Sequence, residues 1–425
     1  MHASKPAVLA LVALLASSAS AVSPPSSEPG NSGEKKPITM KESVTVMTRN
    51  LYLGGDISLP LSATSLADAL ASAGYAWQTV VATDFPRRAR ALAEEIATVR
   101  PDLIGLQEVG LWRIEAPSNE VALVGGELVP VDGFAPDATQ VAYDFLAILL
   151  DALAARGLEY EVASAVQNAD LELPVPTSPE PLTLMDVRYT DHDVILARAD
   201  RRGLHTFNPQ GANFDASLAV TIANVIPVKI ARGWTSVDVT IDTKGAEETF
   251  RFFNSHPEAF SDQVTFAQVT ELAGLVAQSP YPVILAGDLN TGPDVVPQAY
   301  ALITSILTDA WAARHGEAGG LTCCQLATLT NADSLLGSRI DHVLYKGPFK
   351  PRSVDVVGEV PLDPPLELAV DLPAFGPFSA LPAGTPMYWA SDHAGVAAEL
   401  RIEKKEKHAE LRLTIQPGGP VPRRF

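Results

Sequence analysis

Apolar residues along this chain gather into short runs of two different periods, and those runs set the first expectations. Ser43 to Thr48 alternates Val44 and Val46 with polar neighbours, the pattern of a half-buried strand, and leads into Arg49-Asn50. Arg87 to Val99 spaces Ala and Leu at helical intervals until Pro101 interrupts, and a strand is expected over Leu103 to Leu106 with Gln107-Glu108 at its end. Gln140 to Ala155 predicts an amphipathic helix, followed by a strand over Glu159 to Val166. Between Asp170 and Pro181, Pro174, Pro176, Pro179 and Pro181 predict a loop. Strands are expected at Asp193 to Ala197, Ala219 to Ile230, Trp234 to Ile241 and Phe250 to Phe253, the last ending at Asn254-Ser255-His256. Ser261 can cap a helix over Asp262 to Gln278. A strand opening at Val283, a short helix near Val296 to Leu307, a strand at Ile340 to Tyr345, a Pro-rich stretch from Pro361 to Pro386 and a last strand at Ala394 to Ile402 complete the pattern. Strands alternating with helices predict an α/β class, and no Gly/Ser linker divides the centre, so one large domain over 43–403 is expected.

A pattern repeats among the strands: several end on polar residues of catalytic type. The run Pro282 to Asn290 is the clearest case, an apolar strand that reaches Gly287 and then presents Asp288 and Asn290 two positions apart. On extended backbone such side chains leave from one face. A carboxylate beside an amide suits a phosphate ester held near a divalent cation. Alone the run is also an ordinary turn sequence. Asn50, Glu108, Asn254 with His256, Asp341, and Asp392 with His393 fall at other strand ends, and ligand sites of α/β sheets gather where strand ends converge.

Composition narrows the setting. Residues 7–16 form an apolar run after Lys5, followed by an Ala19-x-Ala21 pattern, which reads as a signal peptide over 1–21 and predicts a secreted or periplasmic protein. The run is too short for a membrane span. Residues 22–42 are rich in Ser, Pro, Gly and Glu and predict a disordered leader; the basic tail over 404–425 reads as an extension. The formal charge is −19, and removal of 1–21 takes one Lys and no acid, leaving −20. Such a surface repels nucleic acid at long range, although bound metal can invert the local sign. The two cysteines, Cys323 and Cys324, are adjacent, so the chain is no disulfide scaffold; an oxidising compartment favours a vicinal disulfide. Without a nearby His or Cys in sequence they do not suggest a metal site.

In order along the chain, Thr48-Arg-Asn50, Leu106-Gln-Glu108, Asn254-Ser-His256, Gly287-Asp-Leu-Asn290, Arg339-Ile-Asp-His-Val343 and Ser391-Asp-His393 resemble the six motifs of the endonuclease/exonuclease/phosphatase superfamily, over about Val44 to Leu400. The resemblance implies a four-layer α/β sandwich of two mixed β-sheets packed face to face and flanked by helices. It implies Glu108 as principal Mg2+ ligand, Mn2+ or Ca2+ being alternatives, with Asn50 helping to bind metal or phosphate; Asp392 is a second metal ligand or an orienter. It also implies Asp341 as the carboxylate behind His393, and Asn50, His256 and Asn290 around the phosphate. Tyr189-Thr-Asp191 is similar to the Tyr-x-acid pair that supports the first histidine, with Asp193 a competing candidate.

The chemistry of phosphoester hydrolysis asks for the same parts: neutralised phosphoryl oxygens, a placed water and help for the leaving oxygen. His393 or Asp288 is the base. His256 donates to the phosphate or acts as acid. The expected activity is that of a secreted, metal-dependent phosphodiesterase, with a nuclease or a sphingomyelinase-type lipid hydrolase as alternatives. The substrate, nucleic acid or phospholipid, stays open. Phe375, Phe378, Tyr388 and Trp389 before the last motif suggest an apolar contact or, equally, core covering. An inactive binding protein on the same fold and an acidic interaction module are the non-enzymatic alternatives; a monomer is expected.

Overall fold

The two periods close into two mixed sheets. The computed structural model describes residues 43–403 apart from 125–126, 132–134, 180–181 and 244–245; the signal peptide, leader and C-terminal extension expected from the sequence lie outside the described residues. The first sheet runs Phe349–Val357, Gly395–Ile402, Ser43–Asn50, Leu103–Gln107, Leu182–Arg198, Leu111–Glu115, Gln140–Asp144, with Tyr160–Pro179 paired along Leu182–Arg198. The second runs Thr308–Asp309, Asp341–Lys346, Val283–Asp288, Ala246–Ser255, Gly233–Thr243, Leu204–Asn213. Each sheet holds one parallel pair, Ser43–Asn50 with Leu103–Gln107 and Ala246–Ser255 with Val283–Asp288. A parallel pair needs a crossover. Helices Leu66–Thr83 and Phe85–Val99 supply the first crossover, and Asp262–Ala277 supplies the second.

Apolar faces sort into three layers of core. Val44, Val46 and Ile195 of the first sheet meet Val239, Phe252 and Ile284 of the second in one buried cluster between the sheets. Outside the first sheet, Met47, Ile104 and Leu106 pack on Leu92 and Ile96 of Phe85–Val99 and on Leu149 of the helix Phe145–Ala154. Outside the second, Phe253 and Leu285 pack on Val269, Leu272 and Ile303 of its helices. The result is helices, sheet, sheet, helices: four layers, as the motifs implied.

Several local expectations give way. Gln140–Asp144 is an edge strand beside Leu111–Glu115, and the helix starts only at Phe145, where Asp144 accepts from Ala147 N at 3.0 Å. Val141 and Tyr143 are strand-favouring residues two positions apart, and pairing with Leu111–Glu115 outweighs the helical spacing. The Pro-rich segment after Asp170 continues the long strand Tyr160–Pro179 instead of looping. Pro174 and Pro176 lie opposite Asp186 and Leu184. Two residues apart, their missing N–H groups fall on the same edge, the one place a strand tolerates them. Ala219 to Ile230 is a hairpin, Leu218–Ile222 with Ile226–Ile230, turned through Ala223 and Asn224 at φ 52° and 58°. Helix Leu66–Thr83 escaped the sequence reading because it has no broad polar face. It is capped by Ser65, which accepts from Asp68 N, and much of it, including Ala69, Ala73, Tyr75 and Val80, is buried.

Two features aim the strand ends. Leu103–Gln107 and Leu111–Glu115 pair in succession with the same strand, Leu182–Arg198, and the interruption between them sets Glu108 at φ 54° while Val109 N returns to His192 O at 3.0 Å. The bulge turns Glu108 out of the sheet. Gly287 marks a close approach: a Cβ there would meet Ser255 O at 2.2 Å.

Candidate active site

Asn50 ends the first strand at the centre of its sheet and spends its amide on both halves of the molecule. Nδ2 donates to Glu108 Oε1 at 3.0 Å and to Asp288 Oδ2 at 3.1 Å, while Oδ1 accepts from Tyr52 N at 2.8 Å. Glu108 Oε2 accepts from Leu53 N at 2.7 Å. Asp288 is the last residue of its strand; its Oδ1 accepts from Asn290 N at 3.0 Å in a tight turn that puts Asn290 at φ 47°. Asn290 is therefore not an extended residue beside Asp288, and its Nδ2 donates to Pro257 O at 3.0 Å.

The histidines stand on either side of Asp288. His393 Nδ1 lies 3.0 Å from Asp341 Oδ2 and 3.6 Å from Asp288 Oδ2. His256 Nε2 lies 3.5 Å from the same Asp288 oxygen, and its Nδ1 is 3.1 Å from Arg232 Nη1. An arginine can only donate, so Nδ1 accepts and the proton of neutral His256 sits on Nε2. Arg232 is itself held by Asp191 Oδ2 at 3.2 Å, and Tyr189 Oη donates to Asp191 Oδ1 at 3.0 Å. The Tyr189-x-Asp191 pair thus reaches the first histidine through an interposed arginine. Asp193 is fully buried nearby. Asp392 shares with Glu108 the wall of a mouth of about 260 Å3, and its Oδ1 is buried without a partner.

Backbone straps fix these groups. Arg49 pairs with Glu95 at 2.9 Å and also donates to His393 O. Fully buried Arg88, on helix Phe85–Val99, donates to Leu51 O at 2.7 Å, Ala390 O at 3.0 Å and Tyr52 O at 2.9 Å. Ser391 Oγ donates to Asn50 O at 2.8 Å and accepts from His393 N at 3.2 Å. Asn254, at the start of the Asn-Ser-His motif, bridges the sheets: Nδ2 donates to Leu106 O at 2.8 Å and Val194 O at 3.1 Å, and Oδ1 accepts from Gln107 Nε2 at 2.6 Å. Gly105 leaves room for it, since a Cβ there would meet Asn254 Oδ1 at 2.9 Å. His342 faces away, with Nε2 2.7 Å from Thr291 O, as the alternation around Asp341 predicts.

Burial and charge tune the titrating groups. Burial raises Asp288 to about 6, Asp341 adding to the rise and His393 opposing it. Burial likewise lifts Asp392 to about 7, with His393 opposing and Glu108 adding. Glu108 is raised by burial, against His393 and Asn50. Burial pulls His393 down, but Asp341 and Asp288 override it and hold the imidazolium well above its usual range. His256 is the reverse case, pushed well below by burial, then Arg232, then His393. The two histidines are thereby separated, one cationic and one neutral.

Sequence reasoning brought Asn50, Glu108, His256, Asp288, Asp341 and His393 to one place but missed Arg232, Arg88 and the sulfurs beside His393. Ala231-Arg232-Gly233 precedes a strand without any periodic or motif signal. Of the two readings left open for the aromatic loop, the contacts favour the second: Trp389 is buried and donates to Asn331 O at 2.6 Å, and Phe375 and Phe378 stack on Tyr75 at 5.0 and 5.5 Å. These aromatics cover the core.

No curated protein matches the sequence. Among solved structures, an endonuclease/exonuclease/phosphatase family protein of Bacteroides thetaiotaomicron is similar, with 16% identity, a TM-score of 0.48, and 85% of this chain and 98% of that one covered. A mannosyl-6-phosphatase of the same species gives 17% identity and a TM-score of 0.45 over 84% and 99%. The TDP2 of D. rerio complexed with a single-strand DNA product gives 14% and 0.45 over 84% and 98%. The sequence profile of the Endonuclease/Exonuclease/phosphatase family matches residues 80–393, which contain the motif residues from Glu108 to His393, and this chain belongs to that family.

Proposed function

We propose that this chain is an exported, divalent-metal-dependent phosphoesterase that hydrolyses a phosphodiester by in-line attack of water. Members of its family are phosphoester hydrolases. One observation carries the reading: Glu108, Asn50, Asp288, His393 and Asp341 form a single connected set where strand ends of both sheets meet. The Cys323–Cys324 disulfide fits an oxidising compartment.

Glu108 and Asp392 would hold the cation. Both are hard oxygen donors on one wall, and the unpartnered Asp392 Oδ1 is the kind of buried atom a cation satisfies. Mg2+ fits such donors, and Mn2+ or Ca2+ would fit them too. Bound there, the cation supplies charge neutralisation at the phosphoryl oxygens. Asn50 orients Glu108 and Asp288 together, and its Oδ1 keeps a lone pair for the cation or its water. Because His393 is held protonated, it serves as a donor to developing negative charge, and Asp288, raised toward neutrality, is the group fit to take the proton of water. Neutral His256 offers Nε2–H to a phosphoryl or leaving oxygen. Asn290 keeps one amide proton for the phosphate after donating to Pro257.

The mouth favours an apolar partner on the phosphate. Ile57, Phe260 and Ala327 line it with Asp56, Glu108 and Asp392, and among the described residues no Lys or Arg lines it. Phe260, and Leu326 between the lining residues Gln325 and Ala327, are each 47% exposed. Ile57 also borders an apolar cavity walled by Trp77 and Trp112. A phospholipid-type diester fits this rim better than a polynucleotide, which needs a basic footprint.

The test is hydrolysis of bis-p-nitrophenyl phosphate by purified protein. Activity should require divalent metal and vanish in EDTA, and His393→Ala should lose on the order of 10²–10⁴ in rate. Glu108→Ala should need far more Mg2+. Equal rates in EDTA, or an unimpaired His393→Ala, would sink the reading.

A further inference from the structure

The ring nitrogen of His393 that Asp341 leaves free for the phosphate also has sulfur beside it. Cys324 Sγ lies 3.8 Å from His393 Nε2, and Cys324 is joined to Cys323 by a disulfide. The sequence offered no third ligand beside these cysteines; the fold supplies one. Ligand atoms of Cys323, Cys324 and His393 all lie within 4.8 Å of one another. We propose that reduction of this disulfide creates a soft-metal site, Cys323 Sγ, Cys324 Sγ and His393 Nε2, that takes Zn2+ and is distinct from the oxygen-lined mouth of Glu108 and Asp392.

Four observations support the site. One pair already stands at the right distance: Zn–S near 2.3 Å and Zn–N near 2.0–2.1 Å in a tetrahedral site put sulfur and nitrogen about 3.6 Å apart, against the 3.8 Å found for Cys324, and the two sulfurs part on reduction of the bond that joins them. The backbone holds the sulfur segment in place without help from the disulfide. Thr322 O accepts from Ala394 N at 2.7 Å, Gln325 N donates to Asp392 O at 2.7 Å, and Cys323 and Ser338 exchange bonds at 3.1 Å on the other side. The histidine is oriented from behind by Asp341 at Nδ1, the carboxylate–histidine arrangement that metal-ligating imidazoles use to fix the ring. Cys324 is exposed, so a reductant can reach it.

The chemistry balances. The disulfide takes two electrons and two protons from a dithiol, which becomes a disulfide, and leaves two thiols. Zn2+ then displaces the two thiol protons, which leave to solvent together with any proton on His393 Nε2, and takes a lone pair of that nitrogen. Soft thiolates select Zn2+ over Mg2+, so the two metals do not compete for one place. The site itself is independent of the phosphoesterase reading; only its consequence, loss of hydrolysis when Zn2+ occupies His393, rests on it.

Cobalt tests the site directly. The full-length protein, reduced with a phosphine and freed of it under argon, is titrated with Co2+ in excess Mg2+. Reduced protein should show sulfur-to-cobalt charge-transfer absorption saturating at one equivalent. The oxidised protein and the reduced protein alkylated with iodoacetamide should not show it. His393→Gln should weaken binding at least about tenfold and alter the spectrum. Absence of a sulfur–cobalt band in the reduced protein overturns the proposal. So does a band indifferent to His393→Gln. Alkylation keeps the test open if cysteine variants fail to fold. Failure of the phosphoesterase reading would appear separately, as no Mg2+-dependent hydrolysis by the oxidised protein with the cobalt titration unchanged.

Discussion

At the residue scale, the site works by separating like groups. Two histidines flank one carboxylate, and their second nitrogens decide their states: Asp341 stands behind His393 and Arg232 behind His256. Arg232 is thus a positioning residue. In Arg232→Gln, His256 should lose its fixed Nε2–H tautomer, visible in the ¹⁵N shifts of labelled histidine. The turnover rate should fall on the order of 10²-fold with KM little changed. A variant that loses rate while the tautomer stays put would assign Arg232 a purely structural part. Metal binding offers a second measurement. Asp392, raised to about 7, and Asp288, raised to about 6, carry protons in the metal-free protein at mildly acidic pH. A cation binds the deprotonated carboxylate, so binding near pH 6.5 should release protons, and the apparent Mg2+ affinity should fall as pH drops below about 7, by up to about tenfold per unit for each proton displaced. Calorimetry in buffers of different ionisation enthalpy reads the proton count directly; no dependence on buffer would count against Asp392 as ligand. The ordered motifs made Glu108, Asp288 and His393 legible in sequence. Arg232 was not, because its role comes from a contact across 24 residues of chain rather than from a spacing.

Among the elements, the junction between the sheets matters most. Asn254 ties strand Ala246–Ser255 to Leu103–Gln107 and Leu182–Arg198 through three bonds, none of which faces the mouth. Asn254→Leu keeps the branched shape and leaves Leu106 O, Val194 O and Gln107 Nε2 each without one partner. At about 1–3 kcal/mol for each buried polar group so stranded, a loss of about 3 kcal/mol or more is expected. Urea unfolding should show it as a lower midpoint at unchanged slope. Strands with clean alternation, such as Ser43–Asn50, and the capped helix Asp262–Ala277 were readable from their own residues. Where a neighbour decided the outcome, the sequence misled. Gln140–Asp144 is a strand because Leu111–Glu115 lies beside it, and Tyr160–Pro179 runs on past its prolines because only one of its edges is paired along them. Helix Leu66–Thr83 lacks the polar stripe that would have announced it, and its Tyr75 stacks on Phe375 and Phe378.

For the whole molecule, charge and surface bear on substrate. A chain of formal charge −19 with an uncharged and acidic rim has little means of releasing counterions from DNA. Turnover of a zwitterionic phospholipid in vesicles should exceed cleavage of DNA at moderate salt, and should change little as salt is raised. Efficient DNA cleavage with a steep salt dependence would reverse the assignment. Among the described residues no helix is long and apolar enough to cross a membrane. The arrangement of strands has one more consequence. Ser43 lies opposite Arg401 in antiparallel register, so the first and last described strands are neighbours whose outer ends meet. The path of the chain is a ring cut at one point. A short linker from residue 403 back to 43, with new ends opened in the turn of the Leu218–Ile230 hairpin, would leave every pairing behind Asn50, Glu108, Asp288 and His393 intact. The six motifs need their neighbours, and nothing in the sheets requires them to be read in the order in which they are written.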